Sequence, residues 1–326
     1  MTTAPVGRLT LTRRLPMSHA GALRSDVLLG FSRSPRRIPP RWFHDARGSE
    51  LSERITRLPE YYPAAAEREI LRERAAAIAS ATAARTLVEI GSGSSEKTGL
   101  LIDALGSPLT YVPVDISESA LTGAAHALLA RNPGLTVHAV LADFQNGLVL
   151  PAAPGPRLIC FLGSTVGNLL PAERAAFLLS VRAALQPGDA LLLGTDLVKD
   201  EATLMAAYDD GQGVTAAFNK NVLSVINREL GADFDPADFD HVAHWDAGRE
   251  RIELRLRARR AVTARIPGAG LTVALRSGEE ICTEVSAKFR REGLRSELAA
   301  AWLDPVLMWT DALDRYAITL AVPVPA

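Results

Sequence analysis

An alternation of helical segments with short apolar segments, from about residue 64 to residue 196, constrains the fold more than any other feature of the sequence. Parallel strands cannot be joined by tight turns, so short apolar runs separated by helices are typical of crossover-connected parallel sheets. Five such runs follow one another: TLVEI, LTYVPVDI, TVHAVLADF, RLICFLGS and ALLLGTD. The pattern predicts an α/β fold with a doubly wound sheet, whose ligand crevice lies beyond the carboxyl ends of the strands.

The rhythm changes after Asp196. Residues 197–230 read as amphipathic helix, whereas residues 241–266 and 270–289 alternate apolar and polar positions as strands do. The last segment, PVLMWTDALDRYAITLAVPV, contains two apolar strands around a polar turn, which can return to the first sheet. We therefore predict a second, α+β domain formed by residues 20–63 and 197–288, and a sheet domain formed by residues 64–196 and 289–326.

The first nineteen residues contain arginines and no acidic residue, and they lack the apolar core of a secretory signal. We expect residues 1–19 to be a disordered tail. Alternatively, the start codon has been placed upstream of the true one at Met17. No window of the chain reaches the roughly 18 to 20 consecutive apolar residues of a membrane span.

The charge balance and the cysteine count narrow the class of ligand. The 36 Lys and Arg residues nearly cancel the 37 Asp and Glu residues, so neither nucleic acid nor an anionic membrane is an expected partner. Two cysteines without CxxC spacing indicate free thiols in a reducing compartment, the cytoplasm. His241 and His244 match no metal motif, so no metal is expected and both histidines are interpreted as surface or cap residues.

The loop LVEIGSGSSEKT resembles two phosphate-binding motifs and satisfies neither. A dinucleotide loop requires G-x-G-x-x-G, and a P-loop requires G-x-x-x-x-G-K-[ST]. Gly91 and Gly93 fit the first motif, while Lys97 and Thr98 fit the second, but Glu96 occupies the last glycine position of both. A carboxylate in the first helical turn repels phosphate. The loop therefore argues against NAD and favours S-adenosylmethionine, which carries a sulfonium cation and no phosphate.

Polar residues at the following strand ends agree with this cofactor. Asp115 ends the second strand, where a carboxylate accepts hydrogen bonds from ribose hydroxyls. Asp143 and Phe144 end the third strand and offer an acceptor for an adenine amino group and an apolar surface for its ring. A single acidic strand end is often only a helix cap, but several in the correct order are stronger evidence.

Six segments in this order carry a resemblance to a known family: RLPEYYP, VEIGSGSSEKT, CFLGSTVGNL, LLLGTDLVKD, AYDDGQGVTAAFNKNVL and TEVSAKF. From about Arg36 to the C-terminus the chain resembles the L-histidine Nα-methyltransferases of ergothioneine biosynthesis. The resemblance implies a class I, Rossmann-like methyltransferase domain joined to a substrate-binding domain. It also implies transfer of three methyl groups from S-adenosylmethionine to histidine, which gives hercynine (trimethylhistidine).

The resemblance also implies the site residues. The cofactor would contact Gly91, Ser92, Gly93, Lys97, Asp115, Asp143 and Phe144, with Lys97 meeting the methionine carboxylate. Histidine and its mono- and dimethylated intermediates would contact His44, Tyr61 or its neighbour Tyr62, Gly163, Asn168, Tyr208, Thr215, Phe218, Leu254, Glu284 and Ser286. The catalytic set would be Tyr61, Asn168, Tyr208, Glu284 and Ser286. We expect the enzyme to be a monomer.

These residue types suit an amino-acid substrate. Asn168 and Tyr208 can hold the α-carboxylate with neutral donors, and Glu284 with Ser286 can bind the two imidazole nitrogens. Glu284 and Ser286 should point to the same side of one strand.

Structural alternatives remain open at each position. Asn168 could cap the helix beginning near Pro171, Tyr208 and Phe218 could be core residues, and Glu284 could be a solvated strand residue.

Two positions depart from the family pattern. His44 stands where the family commonly has a tyrosine, and Leu254 where a methionine is common. The Leu254 difference nearly conserves volume, whereas His44 lacks a phenol. Two alternatives follow: the same N-methylation of another aromatic amino acid such as tryptophan, or a non-catalytic protein that binds histidine or S-adenosylmethionine. Glu284 argues against an indole, which would leave a buried carboxylate with a poorer partner.

Overall fold

The computed structural model describes residues 7–14, 19–93, 95, 97–144, 147–148 and 150–325. The chain folds into two compact units. The described parts of residues 1–15, 63–198 and 288–326 form the first unit, and those of 16–62 and 199–287 form the second. The sequence predicts domain boundaries after residues 63, 196 and 288. In the structure, the chain passes from one unit to the other after residues 62, 198 and 287.

The helices, in chain order, are α1 (His19–Phe31), α2 (Ala46–Ile55), α3 (Tyr62–Thr82), α4 (Thr98–Leu105), α5 (Glu118–Arg131), α6 (Pro171–Ala184), α7 (Glu201–Tyr208), α8 (Val214–Leu230) and α9 (Arg291–Ala300). The strands are β1 (Leu9–Arg13), β2 (Arg36–Arg37), β3 (Thr86–Ile90), β4 (Leu109–Asp115), β5 (Leu135–Leu141), β6 (Arg157–Phe161), β7 (Ala190–Asp196), β8 (Phe239–Asp246), β9 (Arg251–Ala258), β10 (Val262–Ile266), β11 (Leu271–Leu275), β12 (Glu280–Ala287), β13 (Leu303–Thr310) and β14 (Tyr316–Pro323). None of the described helices is both long and apolar enough to cross a membrane.

The first unit is built on one sheet with the strand order β1-β5-β4-β3-β6-β7-β14-β13. Neighbouring strands from β1 to β7 run parallel, while β14 is antiparallel to both β7 and β13. Strands β3 and β7 are buried at every position, as expected for a sheet covered on both faces. The predicted parallel sheet and the return of the last two strands to it are confirmed. Chain order reverses between β3 and β6, which makes their carboxyl ends the expected ligand position.

The N-terminal segment corrects the prediction of a disordered tail. Residues 9–13, LTLTR, form the edge strand β1, which pairs in parallel with β5. Leu9 and Leu11 pack against the core, and the Arg8 guanidinium donates to carbonyl oxygens at the end of α5, including Asn132 O at 2.6 Å and Leu129 O at 3.0 Å. The alternation of leucine with β-branched threonine suits a half-buried strand. The pattern spans only five residues, which is too short to predict a strand against the composition of the tail. Residues 1–6 and 15–18 lie outside the described residues.

The second unit combines helices with a four-stranded sheet in the order β2-β12-β9-β8 and a separate β10-β11 hairpin. Its main core gathers apolar residues of α1, α2 and α8 with one face of the sheet. Along β9, Ile252, Leu254 and Leu256 are buried, whereas the intervening Arg255 pairs with Glu253 on the opposite face. Period-two alternation thus gives this sheet one apolar face and one charged face.

Candidate active site

The glycine loop follows β3 and is attached to the neighbouring strand. Gly91 and Gly93 adopt left-handed backbone angles, with φ of +67° and +50°, which glycine adopts without a steric penalty. The Gly91 N–H donates to Val114 O at 2.8 Å, which holds the start of the loop against β4. Among the described residues, a Cβ added to Gly93 would meet no atom within 4 Å, and the buried Ser92 Oγ finds no hydrogen-bond partner. The loop therefore offers open space and an unused polar atom to a ligand.

Asp115 lies beside this loop at the end of β4. Its carboxylate accepts from Gly93 N at 3.0 Å and from Ser117 N at 2.9 Å, which fixes its orientation. The Ala142 N–H donates to Asp115 O at 3.0 Å and so places the residues after β5 next to the end of β4. Each carboxylate oxygen retains a lone pair after one hydrogen bond, so Asp115 can still bind a pair of hydroxyls.

Phe144 is placed by an aromatic cluster. Its ring centroid lies 5.1 Å from that of Phe161 and 5.6 Å from that of Phe177, both edge to face. Such packing fixes the ring without hydrogen bonds. The structure thus gathers six of the seven predicted cofactor residues at one edge of the sheet; we call them the strand-end cluster: Gly91, Ser92, Gly93, Asp115, Asp143 and Phe144.

Lys97, the seventh cofactor residue, is paired with a carboxylate that the sequence did not reveal. Its ammonium forms an ion pair with Glu67 of α3, a side chain with no exposed surface. Glu67 also accepts from Gly163 N at 2.7 Å and Tyr316 Oη at 2.6 Å. An ammonium has three donors, so Lys97 can bind Glu67 and a ligand carboxylate together. Glu96 lies outside the described residues, and α4 begins at Thr98.

Glu67 lies within the charged run EREILRER of α3, a composition typical of a solvated helix surface. A signal was nevertheless present in its spacing. Ile70 and Leu71 lie three and four residues further on, at the spacing that places side chains on one helix face, and both are buried. A lone acid on an apolar helix face indicates a buried carboxylate with partners.

A second buried carboxyl group, that of Glu89, connects β3 to residues that follow the glycines of the loop. Glu89 of β3 accepts hydrogen bonds from Thr98 Oγ1 and Tyr111 Oη, and Tyr111 Oη also lies 2.7 Å from Ser95 Oγ. Burial raises the pKa of Glu89 to about 7, against the opposing effect of the Thr98 and Tyr111 hydrogen bonds. Two residues of the loop region, Ser95 and Thr98, are therefore tied to one buried acid.

Gly163 and Asn168 lie after β6 in the same unit. Gly163 has a φ of +75°, and its N–H donates to Glu67. Asn168 ends a short 3-10 helix that begins at Thr165. The N-cap of α6 is Leu170, whose N–H donates to Glu173 Oε2 at 2.7 Å. Asn168 therefore does not cap α6, which excludes that alternative.

In the second unit, β9 and β12 bring a carboxylate and a hydroxyl to one face. Their antiparallel register pairs Glu284 with Leu254 and Ser286 with Ile252. The Tyr208 hydroxyl lies 2.8 Å from Ser286 Oγ, and both groups are buried. We call Tyr208, Leu254, Glu284 and Ser286 the β12 face. Tyr208 is 6% exposed, so it is a core residue and a site candidate together.

The two adjacent tyrosines of the sequence EYYP differ in environment. Tyr61 is partly exposed and packs edge to face on Tyr208, with ring centroids 6.0 Å apart. Tyr62 is buried, and its hydroxyl accepts from Lys199 Nζ at 2.6 Å. The Lys199 ammonium also lies 4.5 Å from the centroid of the Tyr62 ring. Tyr61 is therefore the more accessible of the two tyrosines, while the Tyr62 hydroxyl is bonded to Lys199.

Two predicted residues, His44 and Phe218, belong to a neighbouring aromatic cluster. Phe218 packs on Phe43 and on the exposed His44, with ring centroids 4.6 Å and 5.7 Å away. The Thr215 N–H donates to Asp210 Oδ1 at 2.7 Å at the start of α8. Burial, the largest single effect, raises the pKa of Asp210. Hydrogen bonds, including those from Thr215 and Val214, outweigh burial, so the pKa lies below its ordinary value. Tyr61 links this cluster to the β12 face because it packs against the core residues of both.

The two histidines of DHVAHWD were interpreted as surface or cap residues; His244 lies at the surface, and His241 contacts the C-terminal carbonyl of α7, with Nε2 2.9 Å from Tyr208 O, as a cap does. The His241 side chain is only 3% exposed, whereas His244 is exposed. Residue His241 pairs with Leu256 and His244 with Glu253, so the two side chains point to opposite faces of the sheet. Within the described part of the chain no group of His, Cys, Asp and Glu could hold a metal ion.

The donor set of the strand-end cluster fits an adenosyl cofactor: a fixed carboxylate for hydroxyls, an unused loop hydroxyl, and an aromatic ring beside a further acid. The fold and this cluster define an S-adenosylmethionine-dependent methyltransferase of class I. Residues 23–323 match the model of the S-adenosylmethionine-dependent, histidine-specific methyltransferases, and the chain belongs to that family.

Its relatives include the histidine N-alpha-methyltransferase of Mycobacterium tuberculosis, 52% identical over 92% of this chain and 94% of that protein. The enzyme of the same name from Mycolicibacterium smegmatis is 51% identical over 94% of this chain and 96% of its own length. Ergothioneine biosynthesis protein 1 of Neurospora crassa is 30% identical over 85% of this chain and 32% of that protein.

Proposed function

We propose that the protein transfers three methyl groups from S-adenosylmethionine to the α-amino group of L-histidine and forms hercynine for ergothioneine biosynthesis. The family membership and the 52% identity to a histidine N-alpha-methyltransferase support this activity. The structural observation that carries it is the β12 face, where Glu284 and Ser286 share one side of β12 and Tyr208 is bonded to Ser286.

This arrangement suits an imidazole ring, which has two nitrogens to satisfy. Glu284 accepts a ring N–H, while the Ser286 hydroxyl can either donate to or accept from the second nitrogen. An indole carries a single N–H and can therefore bond to only one of these two groups. The face thus favours histidine over tryptophan.

The direction of the Tyr208–Ser286 hydrogen bond sets the protonation of the bound ring. Tyr208 has one hydroxyl proton, so if it donates to the substrate carboxylate it must accept from Ser286. Ser286 then offers only an acceptor to the ring, as Glu284 does. Under this assignment the imidazole binds as the imidazolium, with one N–H to each residue.

When bound, S-adenosylmethionine supplies an electrophilic methyl group for in-line displacement. The chain contributes placement: Asp115 holds hydroxyls and Lys97 meets the methionine carboxylate in the first unit, and Tyr208 holds the substrate carboxylate in the second. The α-amino group must lose a proton before each transfer. We assign that proton to a tyrosine or a water molecule that passes it to solvent.

Each transfer delivers one methyl group, so the proposal includes mono- and dimethylhistidine as successive substrates. It also describes the enzyme as a cytoplasmic monomer. Two cysteines without a disulfide framework support a reducing compartment. Light scattering coupled to size exclusion tests the monomer, since a mass of 34.9 kDa is expected.

A competition experiment tests the activity. The protein is incubated with S-adenosylmethionine and an equimolar mixture of amino acids, and methylated products are identified by mass spectrometry. We expect hercynine as the main product. A different betaine as the product would show that the substrate is another amino acid. The absence of any methylated product would show that the protein binds its ligands without catalysing methyl transfer.

A further inference from the structure

Strand β12 carries one residue more than its partner at the position just before Glu284. Upstream, Ile281 pairs with Leu256 and Cys282 with Arg255. Downstream, Glu284 pairs with Leu254, the very next residue of β9. Thr283 therefore has no partner of its own and forms a β-bulge.

This bulge decides which face Glu284 occupies. Ile281 shares the apolar face with Leu256, so regular alternation would put residues 283, 285 and 287 on that face. Glu284 and Ser286 would then lie on the charged face with Arg255. One extra residue reverses the alternation, and both side chains lie instead on the face of Leu254 and Ile252. The β12 face exists because of the bulge.

A buried amide of α8 holds the bulge in place. Asn219 has no exposed surface, and its Oδ1 accepts from Thr283 Oγ1 at 2.6 Å. Its Nδ2 donates to Arg255 O at 3.0 Å, while Thr283 Oγ1 also lies 3.0 Å from Leu254 O. One side chain thus contacts both strands where their pairing shifts.

The same amide connects the bulge to Tyr208 through His241. Asn219 Nδ2 lies 2.9 Å from His241 Nδ1, and His241 Nε2 lies 2.9 Å from Tyr208 O. An amide nitrogen only donates and a carbonyl oxygen only accepts, so His241 must be neutral with its proton on Nε2. The chain of bonds leads from Thr283 to Tyr208, whose hydroxyl reaches Ser286 on the same face.

We propose that Asn219, His241 and Thr283 are positioning residues that fix the β12 face for the amino-acid substrate. This inference rests on the proposed function and deepens it, because it names the residues that orient Glu284, Ser286 and Tyr208. Loss of the set raises the KM for histidine, whereas the strand-end cluster of the first unit keeps its affinity for the cofactor.

Three variants and one control test the set. Asn219→Ala removes the amide, Thr283→Val removes the hydroxyl at nearly constant volume, and Thr283→Ser keeps the hydroxyl. The control is Asn227→Ala on the same helix, because the Asn227 amide also makes two partly buried bonds, to Phe234 O at 2.7 Å and from Phe234 N at 3.0 Å. Asn219→Ala thus removes three side-chain hydrogen bonds, and the control removes two.

We expect Asn219→Ala and Thr283→Val to raise the KM for histidine at least about tenfold, the factor that corresponds to 1.4 kcal/mol. Thr283→Ser should stay within about twofold of wild type, and so should Asn227→Ala, even where its melting temperature falls. The dissociation constant of S-adenosylhomocysteine, measured by calorimetry, should be unchanged in all four. A lowered melting temperature with a wild-type KM in Asn219→Ala would overturn the inference and leave the network purely structural.

Failure of the proposed function is seen separately, as the absence of hercynine from the wild-type protein. In that case the crystal structure of the Asn219→Ala variant still tests whether Asn219 positions the β12 face. A shifted β9–β12 register or a displaced Glu284 carboxylate supports the positioning role, and an unchanged bulge with Glu284 still opposite Leu254 overturns it.

Discussion

The strand-end cluster of the first unit and the β12 face of the second unit are built by different means. The cluster is assembled mainly by backbone: Gly91 follows β3, Asp115 ends the adjacent parallel strand β4, and main-chain bonds such as Gly91 N to Val114 O hold the strand ends together. The β12 face is assembled by side chains, with a bulge at Thr283 and a buried amide that holds it. A common fold thus supplies a cofactor site, while substrate recognition depends on local exceptions to regular structure.

The largest effect should come from Glu284→Ala, which removes the carboxylate of the β12 face. We expect kcat/KM for histidine to fall about a hundredfold, in line with loss of a charged hydrogen bond of about 3 kcal/mol. Cofactor affinity should not change, which calorimetry checks.

Glu280→Ala is a matched control for this variant. It lies on the same strand but pairs with Arg255 and Arg257 on the charged face, so its kcat/KM should remain near wild type. Equal losses in both variants, or unchanged histidine affinity in Glu284→Ala, would remove Glu284 from the substrate site.

Asp115→Ala should show the opposite pattern. Removal of the carboxylate that binds Gly93 N and Ser117 N should weaken S-adenosylmethionine about thirtyfold, or about 2 kcal/mol. Asp103→Ala, at an exposed acid of α4, is the comparison variant and should bind the cofactor normally. An unaltered dissociation constant in Asp115→Ala contradicts the assignment.

Glu67→Gln tests whether the buried ion pair supports the first unit. The substitution keeps the shape but leaves the Lys97 ammonium, which is 25% exposed, without its charge partner. We expect the free energy of unfolding in urea to fall by about 2 kcal/mol. Glu73→Gln, on the same helix with a side chain 59% exposed, should change it by less than about 0.5 kcal/mol. A stability equal to wild type would show that Glu67 and Lys97 are not coupled.

Glu89 should impose a pH dependence on stability. Its folded-state pKa of about 7 lies above the ordinary 4.5, so the folded protein binds the proton more tightly than the unfolded chain. This contribution is fully present below about pH 4.5 and is lost as pH rises through 7, with a slope of at most about 1.4 kcal/mol per pH unit. Glu89→Gln should remove this slope between about pH 5 and 7 in urea titrations. The same slope in the variant would assign the dependence to other groups.

The smallest effect is expected from Leu254→Met, which introduces the residue common in the family. Leu254 is 2% exposed and lies opposite Glu284, and the exchange nearly conserves volume. The KM for histidine should change by less than about threefold, because such swaps cost little. A change of tenfold or more would show that the sulfur contributes specifically to substrate recognition.

The sheet domain could be predicted from the sequence because its signals are local. Apolar runs, glycines and strand-end acids such as Asp115 occur at spacings that the parallel sheet itself requires. The final pair of strands and their return to the sheet were predicted for the same reason. The edge strand at Leu9–Arg13 was missed, since five residues in an arginine-containing tail carry too little pattern to be separated from disorder.

The β12 face could be predicted only in part. Glu284 and Ser286 were placed on one face by their spacing, but nothing in TEVSAKF shows which of the two sheet faces that is. The choice depends on the bulge at Thr283, hence on Asn219, which lies 64 positions away in the chain. Glu67 was missed for a related reason, because its partners Gly163 and Tyr316 are distant in sequence.

The most direct test of the proposed activity is the fate of a labelled methyl group. The protein is incubated with L-histidine and S-adenosylmethionine carrying a ¹³C methyl group, and the product is followed by proton–carbon NMR. We predict that a single resonance of three equivalent methyl groups on a quaternary nitrogen accumulates, with the ring nitrogens unmodified. Methylation of a ring nitrogen, or accumulation of the monomethyl product as the end point, would contradict the account.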